Sequence, residues 1–519
     1  MLNEQDFRQM LKNEYQHISG IFQDPREFGR ILGISPEEAA RRLESMGDVR
    51  ERAAAGNLRD KEYLVGVYAS LLSQTKDINH AELLEDWSRA FPWLLLELVL
   101  TMDGLSQVLD RIKDRAVLLT KDLVQVLNVN EGLLQQSLGD RGFCLRFFAG
   151  MMFAQEDGQD VLENLQHEDV EELGALRPDY VYLVKRGRKI RLEGVCFPHR
   201  ESLLRIQKKA VRQARPQYDY NRPALTTQKL SGSRVTVAGY HATPSTNELY
   251  FNERLFDVRG VTLEILQEKY RTVDTMIRRF LALNQRGRGS FLVTGAEMGV
   301  GKSTFLMAML EKVPDYWGIG ILDGCNELKA AERYPDKNIL TLVDNPRMDL
   351  QDSFGHLLKT SRDILCVGEV TQPSEMLCLV QGATRLNAGI GGTLHAASPE
   401  VVPACCRNLL KATGLYSDDW RAEEELARSL DLIIHLRRHR HEPGRIVLDR
   451  VVQCSVRDDG QEAVSGGKPY QLHCLAAFDD ERNEWIRQEL PTREYVDKIC
   501  RYVEPSEWME FAALWTQSC

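Results

Sequence analysis

The sequence predicts an α/β fold, led by a smaller α+β domain and a helical region. Three observations predict it. From Ser290 onward, short apolar runs alternate with helical stretches, the pattern of a mostly parallel sheet covered by helices. Between Asp179 and Phe256 the pattern is that of strands interrupted by one amphipathic helix. Ahead of both, residues 1–155 carry apolar stripes at helical spacing.

Length and composition agree. At ~150 residues per domain, 519 residues suggest about three domains. The apolar share of 43% and charged share of 27% are ordinary for a globular protein, which excludes collagen-like, low-complexity and wholly disordered chains. A net charge of −10 argues against a chain built to coat nucleic acid. No stretch reaches the ~18 apolar residues of a spanning helix; the nearest, Phe91 to Met102, is short and contains Pro92 and Glu97. The start, MLNEQDFRQML, has no basic-then-apolar signal pattern, so a cytoplasmic protein is expected. Eleven Cys without a C-x-x-C pair read as reduced, mostly buried thiols rather than a zinc site or disulfide framework.

In the helical region, Leu105, Val108, Leu109 and Ile112 share one helix face, and similar stripes run from Phe28 to Leu43 and from Val117 to Leu134. Ser35 is a candidate cap for a helix starting at Pro36. This region carries no recognisable chemistry and reads as packing or docking surface. Eight acidic residues and no Lys or Arg lie between Glu156 and Leu176. Eleven Lys or Arg follow between Tyr182 and Arg215, so a domain boundary is expected in the acidic stretch. The α+β domain, 178–258, is expected to hold a hairpin (DYVYLV and KIRLEGVCF), a helix from Glu201 to Arg215 and two further strands (SGSRVTVAGY and NELYFNERLF).

The third domain is expected at 262–454. Its strands are expected at Phe291 to Thr294, Ile319 to Leu322, Ile339 to Val343, Ile364 to Val367, Leu432 to Leu436 and Ile446 to Val452. The extension 455–519 has no interpretable pattern, and the chain has no internal repeat.

The chemistry concentrates in this third domain. FLVTGAEMGVGKSTFLMAML places a Gly-rich turn between an apolar strand and a helix that begins near Lys302. Gly299 and Gly301 let successive N–H groups face inward, and with the helix dipole these form an anion nest. Lys302 supplies a point charge to β- and γ-phosphates, and Ser303 offers a hydroxyl to Mg²⁺, with Thr304 beside it. Residues Glu297, Met298, Gly299, Val300, Gly301, Lys302, Ser303 and Thr304 are therefore the expected nucleotide-binding segment. Ala296 stands where Gly is usual, a mild change at negative φ.

Three further segments fit this site. DILCVGEV is a buried strand ending in an acid, Glu369, suited to holding the water shell of Mg²⁺. GILDGCNEL offers Asp323 or Glu327 to orient or deprotonate the attacking water; local chemistry leaves both open, with loop solvation the plainer alternative. NAGIGGTLHAASP puts His395 behind a Gly-rich, flexible turn, within reach of a γ-phosphate or simply hydrogen-bonded in place.

In this order, AEMGVGKST, ILDGCNEL, DILCVGEV and GIGGTLHA resemble the P-loop, acidic box, Walker B segment and His box of the type II/type IV secretion ATPase superfamily. The tight-adherence pilus and conjugation motors are the branch they look most like. PALTTQKLSGSRVTVAGY, ELYFNERLF and DLIIHLRRH…GRIVLDRVV extend the resemblance to about residues 178–453. It implies a RecA-like P-loop domain, ATP and Mg²⁺ as ligands, and catalytic roles for Glu327, Glu369 and His395. Mg²⁺ would be held at Ser303 and Glu369, with Arg254 as a basic residue offered to the nucleotide and Arg347 as a weaker candidate for a charge-neutralising arginine. It implies a homo-hexameric ring with nucleotide between two domains, driving a membrane platform protein in pilus assembly or protein secretion. A peripheral seat at the inner face of the membrane follows, with the basic stretch from Lys185 to Arg215 facing anionic lipid, an acidic partner or only solvent.

Departures from the family pattern are Asp323 where Glu usually opens the acidic box, Thr371 where Arg follows Gly-Glu-Val, and Asn387 at the first His of the His box. They motivate an alternative, a nucleotide-binding scaffold of a secretion or conjugation apparatus with little hydrolysis. A nucleic-acid translocase on the same core is disfavoured by the acidic balance and the lack of an alternating basic and aromatic segment.

Overall fold

The structure is a computed structural model. It describes residues 4–54, 56–74, 91–101, 104–112, 115–166, 170–185, 188–212, 217–229, 233–245, 248–255, 261–297, 299–324, 328–343, 348, 350–386, 389–442, 444–457 and 467–517. The chain divides into two compact units, residues 1–257 and 258–519.

The first unit opens with helices Glu4–Ile21, Pro25–Leu32, Pro36–Ala54 and Leu58–Leu72. The Phe28 to Leu43 stripe is two helices, because Gly33 takes φ +67 and ends the first. Ser35 caps the second, accepting the N–H of Glu38 at 3.2 Å. Pro92–Thr101 buries every residue from Trp93 to Leu100. It is apolar all round because it is a core helix; no single helix among the described residues is long and apolar enough to cross a membrane. Leu105–Ile112 buries the four residues of its expected stripe. Thr120–Val129, Glu131–Gly139 and Arg141–Glu156 complete the helical part.

Its seven strands are β1 (Val117–Leu118), β2 (Glu172–Arg177), β3 (Tyr180–Lys185), β4 (Arg188–Leu192), β5 (Ala224–Gln228), β6 (Arg234–Ala238) and β7 (Tyr250–Arg254). They are ordered β1-β4-β3-β2-β7-β6-β5. All pair antiparallel except β1, which joins β4 in parallel. The expected helical stripe from Val117 therefore begins as a strand. The helix expected from Glu201 spans Arg200–Ala210. β2 lies inside the acidic stretch read as a boundary. The helices and the sheet share one apolar core, from Phe7, Trp93 and Phe148 to Leu183 and Phe251.

The second unit begins with helices Leu263–Glu268 and Thr275–Arg286. Its strands are β8 (Phe291–Gly295), β9 (Ile319–Leu322), β10 (Ile339–Leu342), β11 (Ile364–Val367), β12 (Gly389–His395), β13 (Leu432–Arg438), β14 (Ile446–Val456), β15 (Tyr470–Asp479) and β16 (Glu484–Arg487). They form one sheet in the order β10-β9-β11-β12-β8-β13-β14-β15-β16. The first six are parallel and the last three run antiparallel. Alternate residues of β8 face opposite cores. Phe291 and Val293 join helices Thr275–Arg286 and Lys302–Glu311, and Leu292 joins helices Pro373–Leu386, Val402–Ala412 and Asp419–Ser429. This is the doubly covered α/β sheet that the sequence predicts, in a RecA-like arrangement.

Two sequence expectations change here. The Gly-rich segment before His395 is not a flexible turn but β12, a central strand between β11 and β8. Its glycines make room for neighbours. A Cβ on Gly391 would stand 2.8 Å from Phe291 Cζ and 2.9 Å from Cys366 Sγ. The uninterpreted extension completes the sheet with β15 and β16. It then adds helices Arg493–Ile499 and Pro505–Gln517, whose Phe511 stacks on Phe280 at 5.8 Å between ring centroids. Nine described cysteines are free thiols.

Candidate functional site

β8 lies in the middle of the parallel sheet, so its carboxyl end opens where neighbouring strands also end. The loop after it turns sharply at Gly299, with φ +72, and at Gly301, with φ +79. Such values favour glycine and point successive N–H groups to one side. Helix Lys302–Glu311 then starts at Gly301 with no side-chain cap, which leaves its first N–H groups for an anion. Gly295 is required for a second reason. A Cβ there would stand 2.7 Å from Val300 Cγ1 and 2.8 Å from the Leu436 carbonyl oxygen.

Lys302 is 8% exposed, and its Nζ lies 3.1 Å from His395 Nε2. His395 Nε2 in turn lies 3.2 Å from Glu369 Oε1. The helix start, the end of β12 and the loop after β11 thus bring three of the expected residues together. One side-chain and one backbone bond fix the last two relative to each other: Thr393 Oγ1 donates to the Gly368 carbonyl at 2.8 Å, and the Val370 N–H donates to the Thr393 carbonyl at 2.8 Å. Ser303 and Thr304 are half-buried in the helix's first turn.

Asp323 follows β9 and is 4% exposed. Its Oδ2 accepts the Leu328 N–H at 2.8 Å, which ties the end of β9 to Leu328. Glu327 itself, with Met298, Arg347 and Asn387, lies outside the described residues. Arg254 closes β7 in the first unit. Thr371 gives its N–H at 2.6 Å and its hydroxyl at 3.2 Å to Glu375 Oε2, which also accepts the Gln372 N–H at 2.7 Å, so Glu375 in the first turn of helix Pro373–Leu386 holds the segment before it.

Sequence reasoning did not single out two residues of β13. His435 Nδ1 lies 2.9 Å from Thr294 Oγ1, directly below the loop, and burial pushes its imidazole below the ordinary histidine value. Arg438 Nε lies 3.0 Å from Glu297 Oε2. The only local signal was the basic run Arg437, Arg438, His439, Arg440 after an apolar strand.

A search of curated protein sequences finds no match. Among solved structures, the VirB11 ATPase of the Brucella suis type IV secretion system is 16% identical, covering 55% of this chain and 93% of its own, with a TM-score of 0.30. The Yersinia pseudotuberculosis ATPase DotB is 12% identical over 68% of this chain and 82% of its own, at 0.41. The pilus retraction motor PilT with bound ADP is 13% identical over 67% and 86%, at 0.39. The family described as type II/IV secretion system protein matches residues 155–489. That span covers more than half of the chain, so the chain belongs to the type II/IV secretion system protein family.

Proposed function

We propose that this chain binds Mg²⁺-ATP at residues 297–304 and hydrolyses it to power pilus assembly or protein secretion. The observation that carries this reading is the chain Lys302–His395–Glu369 beside an uncapped helix start. In it, backbone N–H groups and Lys302 bind the triphosphate, Ser303 and Glu369 hold Mg²⁺, and Glu327 polarises the attacking water. His395 exchanges Lys302 for the γ-phosphate when nucleotide arrives. Work by a cytoplasmic hexameric ring on a membrane platform protein belongs to the same reading.

The test is phosphate release with Mg²⁺-ATP. Lys302→Ala should lose nucleotide binding. Glu327→Gln should keep binding and lose turnover by about 10²–10⁴-fold. A wild-type rate no higher than either variant's overturns the motor reading. It would leave the second one, a nucleotide-binding scaffold, which draws support from Thr371, where the family commonly has Arg, giving its N–H and hydroxyl to Glu375.

A further inference from the structure

The phosphate-binding loop has a second wall, built from His435, Leu436, Arg438 and Ile446. His435 meets Thr294, the Leu436 carbonyl crowds Gly295, and Arg438 pairs with Glu297. Ile446 Cδ1 would lie 3.6 Å from a Cβ on Gly301. The wall is itself anchored. Asp480, in the turn between β15 and β16, accepts from Arg437 Nη2 at 2.8 Å and from the Arg440 N–H at 3.3 Å. Asp449 accepts from Arg437 Nε at 2.6 Å. His439 Nδ1 accepts the N–H groups of His441 and Glu442, both at 3.1 Å. Arg438 therefore projects from the end of β13, between neighbours that are tied down on both sides.

Glu297 is the one acid in the segment from Gly295 to Ser303. A carboxylate on an anion-binding loop repels the ligand that the loop is shaped to hold. We infer that Arg438 is a positioning residue for the phosphate loop: it holds the Glu297 carboxylate on the β13 side and cancels its charge, so that a polyphosphate can enter beside Lys302. Through Asp480 and Arg437, the C-terminal hairpin keeps it there. The inference rests on the nucleotide-binding reading above.

The test is equilibrium binding of Mg²⁺-ATP and Mg²⁺-ADP to the full-length chain. Arg438→Ala should weaken ATP binding about tenfold, the scale of a lost charge-assisted bond. The loss should be smaller for ADP, which carries less charge. Adding Glu297→Gln to Arg438→Ala should restore ATP affinity to within about threefold of wild type, as coupled contacting residues do. Glu297→Gln alone should tighten ATP binding, and Arg438→Lys should recover part of the loss. Unchanged binding in Arg438→Ala, or a loss that Glu297→Gln does not rescue, overturns the inference. A wild-type chain that binds neither nucleotide overturns instead the reading on which it rests.

Discussion

Glu253 in the first unit and Lys302 in the second are both buried charges, but their partners differ in kind. Glu253 is fully buried. It accepts from Lys229 Nζ at 3.0 Å, Gln159 Nε2 at 3.0 Å, Gln166 Nε2 at 3.2 Å and the Ser233 hydroxyl. Strands β6 and β7, the segment after β5 and the short helical turn at residues 160–165 are joined by this one carboxylate. Lys302 instead faces His395, which in turn meets Glu369, and these two side chains are 44% and 38% exposed. A charge enclosed by fixed donors is a fastening. A charge whose partners reach solvent can change partners when a ligand arrives.

The sharpest way to break that contrast is Lys229→Met. It leaves the Glu253 carboxylate buried without its counter-ion and should cost ~3–5 kcal/mol. Hydrogen exchange of peptides from the first unit would read it without assuming that both units unfold together. Lys302→Met should do the reverse, abolishing nucleotide binding while moving stability by no more than about 1 kcal/mol. Equal destabilisation by the two substitutions would erase the distinction.

Glu97 sharpens it from the side of pH. Burial raises its carboxyl from 4.5 to about 7, while Asn164 Nδ2 donates to it at 2.7 Å. The folded chain thus holds a proton that the unfolded chain has released between those two values. The stabilisation is complete below pH 4.5 and is lost as pH rises through about 7. Glu97→Gln should flatten this dependence and raise first-unit stability at pH 8 by up to ~3 kcal/mol, since each tenfold change in proton affinity is worth ~1.36 kcal/mol. A wild-type profile flat from pH 5 to 8 would remove Glu97 from this role. The smallest effect belongs to Ser35→Ala, which removes one cap and should cost ~1 kcal/mol, read by the same hydrogen-exchange measurement in helix Pro36–Ala54.

Much of the second unit was legible in residue order. Parallel strands covered on both faces are unbroken apolar runs, so β9 and β11 were delimited to the residue. The turn after β8 was legible because positive φ at Gly299 and Gly301 demands glycine. β12 was misread for the same reason inverted: glycines that mark turns elsewhere here admit Phe291 and Cys366. The extension was opaque because its strands and helices take their meaning from surfaces far upstream, as Phe511 does from Phe280. Likewise β1 is two residues long and exists only because β4 offers an edge.

By itself, the order of residues determined the family, the α/β class and the glycine turn after β8, since each rests on neighbours a few positions apart. Tertiary structure alone decided that His395 meets both Lys302 and Glu369, and that Arg438 faces Glu297. The physical reason is strand order. β12 and β13 flank β8 although they follow it by about a hundred residues or more, and such adjacency is set by crossovers that leave no local pattern in the chain.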